Sequence, residues 1–301
     1  MASLAEHQVF CVESRRIYLE DRDANSDAFV WRQTLWDARR SIIAFLRTSA
    51  FLSDVSGALQ KSGYHSLPLR HFLAPPVSQD QFKMICPEWS KSCEKSGNKL
   101  SAPAANAVAD VFAIRRSKHL TAWLDRGRAP RLAELSAAIG AIAPLIADQK
   151  MKTGSRTGLA ARQEASVIEL LIERDWTKVQ SSLVEISGQL PARTFMHKTR
   201  FSSGHAQSKE VDIACGLGKT VVLALECKVT NDETNSVKRI DDVINKTNAW
   251  KAKWGAFMKP AALLQGVIKI SDVSRLLDNG VEVFWSHRLD LFAEWLDENV
   301  S

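Results

Sequence analysis

Asp212, Glu226 and Lys228, with Glu164 upstream, are the residues whose types and spacing could do chemistry together. Asp212 sits in an apolar run over residues 209–215, and Glu226 and Lys228 sit in a second over 221–229, with Gly216-Leu217-Gly218-Lys219 between them. Successive side chains of a strand point to opposite faces, so Glu226 and Lys228 share one face. Along that run the odd positions Val221, Leu223, Leu225, Cys227 and Val229 stay apolar, while the even positions change from Val222 and Ala224 to Glu226 and Lys228. Ionised groups facing a covering layer are costly unless they are paired or metal-bound. A structural ion pair is one account of the two charges, and a metal site is the other. Carboxylate oxygens suit Mg2+, with Mn2+ as a substitute, and such an ion keeps waters and bridges to phosphate. A neighbouring lysine can stabilise developing negative charge or help orient and deprotonate a water. The chemistry expected of this set is in-line phosphodiester hydrolysis.

These side chains need elements that bring them together. The sequence predicts a helix over 159–174, strands over 194–201, 209–215 and 220–229, a helix over 236–254, a strand over 261–270, a short helix over 271–278, a strand over 281–285 and a terminal helix over 290–299. That order is αβββαβ followed by αβα. Asp212 is expected on a face with Glu210 and Ala214, opposite Val211, Ile213 and Cys215. To share a face with Glu226 it needs a suitable loop count or a bulge, because a one-residue slip inverts every side chain; Gly216 and Gly218 permit either. At about 100° per residue, Glu164 falls on the stripe of Ala161, Ile168 and Leu171 that should meet the sheet. It either supports the site or pairs with a cation such as Arg162. In the helix after the second acidic strand, Asn235 or Ser236 can cap the start. Val237, Ile240, Ile244, Thr247 and Trp254 form its packing stripe, which leaves Lys238, Arg239 and Lys246 as candidates for phosphate contact. Trp250 and Trp254 read as core aromatics.

Upstream, apolar residues recur at helical spacing over 28–59, 104–124 and 131–147. Residues 66–102 carry Pro68, Pro75, Pro76 and Pro87 and read as a long connection with short helices at most. The stretch 149–158 mixes Gly154, Gly158 and small residues with Lys150, Lys152 and Arg156, and reads as a linker or as a loop that tracks a phosphate backbone. The division expected is a helical region over 1–150 and a domain over 158–301 that carries the acidic residues.

Composition narrows the classes. A 301-residue chain with 45% hydrophobic and 25% charged residues is ordinary for a globular protein, which excludes fibrous and disordered architectures. A formal charge of +6 and a pI near 9.1 favour an anionic partner. No uninterrupted apolar run approaches the roughly 18 residues of a membrane span, and the first residues do not resemble a secretion signal, so a cytoplasmic protein without a membrane partner is expected. Cys86 and Cys93 lack zinc-site spacing, and no Walker-type loop is present: Gly216-Leu217-Gly218-Lys219 joins two strands.

Asp212, then Glu226-Cys227-Lys228 on the next strand, after a helix bearing Glu164, resembles the PD-(D/E)xK nuclease superfamily over roughly residues 158–286. Val211 stands where a proline often precedes the acid. Residues 225–231 and 234–239 more narrowly resemble XamI-like type II restriction endonucleases. The resemblance implies a restriction-endonuclease-like α+β fold, with a mixed central sheet flanked by helices in a catalytic domain over 158–301, behind a helix-rich region over 1–150 that contributes to DNA recognition. It also implies Asp212 and Glu226 as Mg2+ ligands, Lys228 assisting the attacking water, and Glu164 as an accessory acid. By the same resemblance the protein cuts double-stranded DNA at a specific sequence as a homodimer, with a companion DNA methyltransferase. Two readings stay beside it: a repair or defence nuclease of the same fold, structure-specific or nonspecific, and a non-catalytic DNA-binding protein.

Overall fold

The structure, a computed structural model, describes residues 2–21, 24–203 and 207–300, without the side chains of residues 24–26, 155, 156 and 235. The chain forms two compact units, one of residues 24–153 and one of residues 1–23 with 154–301.

The first unit is helical: α2 (Ala24–Thr48), α3 (Val55–Lys61), α4 (Ser66–His71), α5 (Gln79–Ile85), α6 (Ala102–Arg115), α7 (Ala122–Asp125) and the beginning of α8 (Leu132–Glu173). Its core gathers Ile42, Phe45, Phe72, Phe82, Trp89, Trp123 and Ile142. Inside it Arg70 is fully buried, and its guanidinium donates to both oxygens of Glu94 (2.9 and 2.8 Å) and to the Val77 carbonyl (2.6 Å). A buried cation needs such a fork of partners. The helix expected over 28–59 is broken after Thr48, where Ala50, Phe51 and Leu52 take positive φ before the Asp54 carboxylate caps α3. The helix expected over 104–124 likewise divides into α6 and α7.

The second unit holds a seven-stranded mixed sheet. Its strands are β1 (Thr177–Lys178), β2 (Leu183–Val184), β3 (Thr194–Phe201), β4 (Lys209–Gly218), β5 (Val221–Thr230), β6 (Met258–Gly266) and β7 (Glu282–Trp285). They run in the order β1-β3-β4-β5-β6-β7, with β2 beside β3. β3, β4 and β5 are antiparallel neighbours, and β5, β6 and β7 are parallel. On one face Val167 and Leu171 of α8 and Phe292 and Leu296 of α11 (Leu289–Asn299) pack on Ile213, Leu223, Leu225 and Leu263. On the other, α9 (Glu233–Trp254) contributes Ile240 and Val243 to one cluster and Trp250 and Trp254 to another, and α10 (Ile270–Asp278) contributes Val273 and Leu276. The architecture is the expected one at the level of an α+β protein with a mixed sheet flanked by helices.

Three expectations need correction. Residues 149–158 are not a linker but lie inside α8, a continuous helix of 42 residues. Two glycines weaken a helix by roughly 1 kcal/mol each, which apolar packing on either side outweighs. α8 is long and apolar enough to cross a bilayer by composition alone, yet Ala138, Ile142, Ala143 and Ile146 are buried in the helical core. The second concerns the boundary at 150: α1 (Leu4–Glu20), opened by a capping box of Ser3 and Glu6, is helical, as expected of the region over 1–150. It belongs with the sheet unit, not with residues 24–153: Ser14 accepts from the Gly266 amide (2.9 Å) and His7 from the Trp285 indole (3.0 Å). The third concerns the cap of α9. The helix begins at Glu233, and Ser236 is buried within it and donates to Asp272 (2.7 Å); the side chain of Asn235 lies outside the described residues.

Glycine substitutions test both the helix and the hairpin. Nothing lies within 4 Å of a methyl added at Gly154 or Gly158, so Gly154→Ala and Gly158→Ala should each stabilise the protein by about 0.5–1 kcal/mol in urea unfolding. A methyl at Gly216 would sit 2.0 Å from the Pro191 carbonyl oxygen. Gly216→Ala should therefore cost about 2 kcal/mol or more, and a neutral result there would refute the close approach.

Candidate active site

The β4–β5 hairpin sets the geometry. Its pairing shifts by one residue between Gly216 and Gly218, and the register beyond that bulge matches Gly216 with Val222, Ala214 with Ala224 and Ile213 with Leu225. The bulge expected at the glycines is present, and Asp212 and Glu226 lie one residue beyond the last paired residues of their strands. The backbone pairing ends at Ile213 and Leu225, and the Cys227 amide donates instead to Asp212 Oδ2 (2.9 Å). A carboxylate has taken the place of a backbone acceptor, which ties Asp212 to the strand carrying the other two residues.

The regular alternation expected for β4 does not hold at this point. Val211 packs with Phe201, Trp250 and Trp254, whereas Ile213, two residues on, belongs to the core on the opposite face with Val167 and Leu171. The neighbouring strand explains the change. Lys198, across from Asp212, adopts φ +55, a left-handed conformation inside β3, and the His197–Ile213 and Thr199–Val211 pairs flank it. A non-glycine residue in that region marks local strain held by its surroundings.

Glu226 has no exposed surface. Both its oxygens are engaged: Lys228 Nζ lies 2.6 Å from Oε2, and Lys246 Nζ, from α9, lies 2.8 Å from Oε2 and 3.0 Å from Oε1. Asp242, one turn before Lys246 on α9, adds a carboxylate 3.2 Å from Lys228 Nζ. Burial raises the Glu226 carboxyl pKa, with the two lysines opposing that shift and the Asp212 charge adding to it. For Lys228, burial alone would lower the pKa, but the Glu226 carboxylate outweighs it and holds the ammonium protonated well above neutral pH.

Glu164 is buried on α8 as its stripe requires, and its partners are not Arg162 but two neighbours on β3. His197 Nε2 lies 2.8 Å from Oε2, and Lys198 Nζ lies 2.6 Å from Oε1. The same ammonium is 3.4 Å from Asp212 Oδ1, so Lys198 bridges the two acids. The Lys198 pKa is raised: burial opposes the charge, while Glu164 and Asp212 more than restore it.

The structure thus brings together Glu164, Asp212, Glu226, Lys228 and Lys246. Lys246 points inward to Glu226, whereas Lys238 is exposed and Arg239 is partly buried. His197, Lys198 and Asp242 were missed. A helical period would have placed Asp242 one turn before Lys246, but nothing in an alternating strand announces that His197 and Lys198, adjacent in sequence, reach the same carboxylate. Among the described residues no three His, Cys, Asp or Glu side chains converge into a ready-made metal cage. Asp212 and Glu226 are oxygen donors of the kind Mg2+ takes, and both Glu226 oxygens are engaged by Lys228 and Lys246, so an ion held there would have to displace an ammonium.

A sequence profile of the family described as XamI restriction endonuclease matches residues 50–285, a stretch that contains Glu164, Asp212, Glu226 and Lys228. This chain belongs to that family. The type II restriction enzyme XamI of Xanthomonas campestris pv. amaranthicola is 28% identical to it over 189 residues, which cover 62% of this chain and 66% of that protein. The match thus spans just under two thirds of that XamI relative's length. Two solved structures share a lower likeness. Protein VC1899 from Vibrio cholerae is 10% identical with a TM-score of 0.33, covering 89% of this chain and 57% of that one. Can2 from Sulfobacillus thermosulfidooxidans is 15% identical with a TM-score of 0.33, covering 64% and 55%. At those scores neither bears on the fold or activity of this XamI-family chain.

Breaking a buried ion pair strands the partner charge. Lys246→Ala and Lys228→Ala should each lower unfolding stability by about 1–3 kcal/mol, and by clearly less in a Glu226→Gln background. Equal losses in both backgrounds would show that the lysines do not stabilise through Glu226.

Proposed function

We propose that this protein is a type II restriction endonuclease that hydrolyses phosphodiester bonds in double-stranded DNA at a specific sequence, with Mg2+ as cofactor. The observation that carries the reading is that Asp212 is tied by the Cys227 amide to the strand bearing Glu226 and Lys228, whose ammonium meets the Glu226 carboxylate, in a chain of the XamI family. The elements around that set, α8 before β3, β4 and β5, then α9 and β6, support a PD-(D/E)xK core of the αβββαβ kind.

Asp212 and Glu226 would hold Mg2+, with Mn2+ as a substitute. When bound, the ion would neutralise charge on the scissile phosphate and make a bound water a stronger nucleophile. The chain's own groups set the rest. Glu226 keeps Lys228 protonated, so its Nζ serves as a cation and hydrogen-bond donor toward a phosphate oxygen. Asp212 is held from both sides, by the Cys227 amide and by Lys198 Nζ, which orients its carboxylate before DNA arrives. Glu164 acts one step back by holding Lys198 and His197 in place. The same reading carries a homodimer acting on a symmetric site in the cytoplasm, and a companion methyltransferase that protects host DNA.

The direct experiment incubates the purified protein with unmethylated plasmid and phage DNA, with Mg2+ or with EDTA, and maps the ends. Discrete Mg2+-dependent fragments sharing one end sequence are expected. Asp212→Ala and Lys228→Ala should reduce cleavage by a factor on the order of 10² to 10⁴ while leaving DNA affinity largely intact. Full cleavage by both variants would refute the assignment, and a smear would replace sequence specificity with a nonspecific nuclease.

A further inference from the structure

The positive charge of this protein is concentrated in one unit. Residues 24–153 carry 18 Lys and Arg against 10 Asp and Glu, a formal +8; the remainder carries 22 against 24, a formal −2. Within the helical unit α2 stands out. Its buried side is Ala38, Ile42, Phe45, Leu46 and Ser49. At about 100° per residue, Arg32, Trp36, Arg39, Arg40 and Arg47 fall within one sector of roughly 100° on the opposite side. All five are exposed, with Trp36 at 58%, and neither Asp27 nor Asp37 falls in that sector.

An ordinary solvated helix face mixes signs and pairs them, as α1 does where Arg16 binds both Glu13 and Glu20. Among the described residues the four α2 arginines take part in no ion pair and no side-chain hydrogen bond. An unpaired guanidinium is a planar fork suited to two phosphate oxygens, and it is less strongly hydrated than an ammonium. From Arg32 to Arg47 the helix rises about 22 Å, well over half a turn of DNA, and the phosphates carry one charge per about 1.7 Å of duplex axis. An exposed indole amid the arginines adds a flat apolar contact for sugar or base. The stripe precedes residues 50–285, the stretch matched to the XamI family.

We propose that the exposed Arg32, Trp36, Arg39, Arg40, Arg47 stripe of α2 is a contact surface for the phosphate backbone of duplex DNA. The proposal rests on the reading of the protein as a DNA endonuclease. Four arginine contacts account for a slope of about 3 to 4 in log affinity against log salt, and they bind without reading sequence.

The test measures equilibrium binding of a fluorescent duplex to the full-length protein in EDTA across a salt series. In Arg32→Ala/Arg39→Ala/Arg40→Ala/Arg47→Ala the slope should fall by about 3 to 4 and affinity at low salt by more than about tenfold, for specific and nonspecific duplexes alike. Trp36→Ala should weaken binding without changing the slope. The triple variant Lys95→Ala/Lys99→Ala/Lys118→Ala, which removes other exposed cations of the same unit, should change the slope by less. Circular dichroism and thermal unfolding should be unchanged, since exposed Arg and Ala have similar helix propensity. Unchanged slope and affinity in the folded quadruple variant, with the wild type still binding and cutting, would overturn this surface alone. A wild type that binds no duplex would overturn both this surface and the nuclease reading.

Discussion

A carboxylate without exposed surface stands in the middle of the sheet, and much of the second unit is arranged to tolerate it. Removing an ion such as Glu226 from water costs several kcal/mol unless partners surround it. Lys228 supplies one partner from the same strand, and Lys246 supplies the other from α9. The second depends on how α9 lies, and that is set by Ile240, Val243, Trp250 and Trp254 packing on the sheet. Apolar burial thus fixes a helix, the helix delivers an ammonium, and the ammonium makes a buried charge sustainable.

The other acid is held by different means. Asp212 occupies a place where two regular ladders fail: β4 stops pairing with β5 through its backbone, and β3 turns left-handed at Lys198. Each failure leaves a donor, the Cys227 amide and the Lys198 ammonium, aimed at an Asp212 oxygen. Local strain and lost backbone pairing here go with a preorganised polar site, in keeping with the tendency of strained residues to gather at functional positions. Glu164 extends the arrangement to α8, so α8 on one face of the sheet supports Asp212 through Lys198 while α9 on the other supports Glu226 through Lys246.

Charge divides unevenly between the two units. The sheet unit, near neutral overall, gathers acids and lysines around Asp212 and Glu226. The helical unit carries the excess of cations on exposed surfaces, where a long-range field attracts a polyanion. Attraction of a polyanion needs no exact geometry, whereas the groups around Asp212 and Glu226 are held by specific hydrogen bonds.

Strand periodicity was enough to single out Asp212, Glu226 and Lys228 as charges within apolar strands, because charge interrupting an apolar face is visible along a single strand. Helical periodicity was enough to turn Glu164 toward the sheet. The order of elements from β3 to α11 also followed from local pattern, within a few residues at each end. Tertiary structure decided the rest. That residues 149–158 continue a helix depends on the packing of both flanks, and that α1 joins the sheet unit depends on Ser14 and His7 meeting backbone and indole from residues 266 and 285. The partners of each acid were hidden for the same reason. Lys198 meets Asp212 and Glu164, and Lys246 meets Glu226, across separations of 14 to 34 residues. Local sequence sets which way a side chain faces along its own element; which charge it finds there is set by the register and packing of other elements.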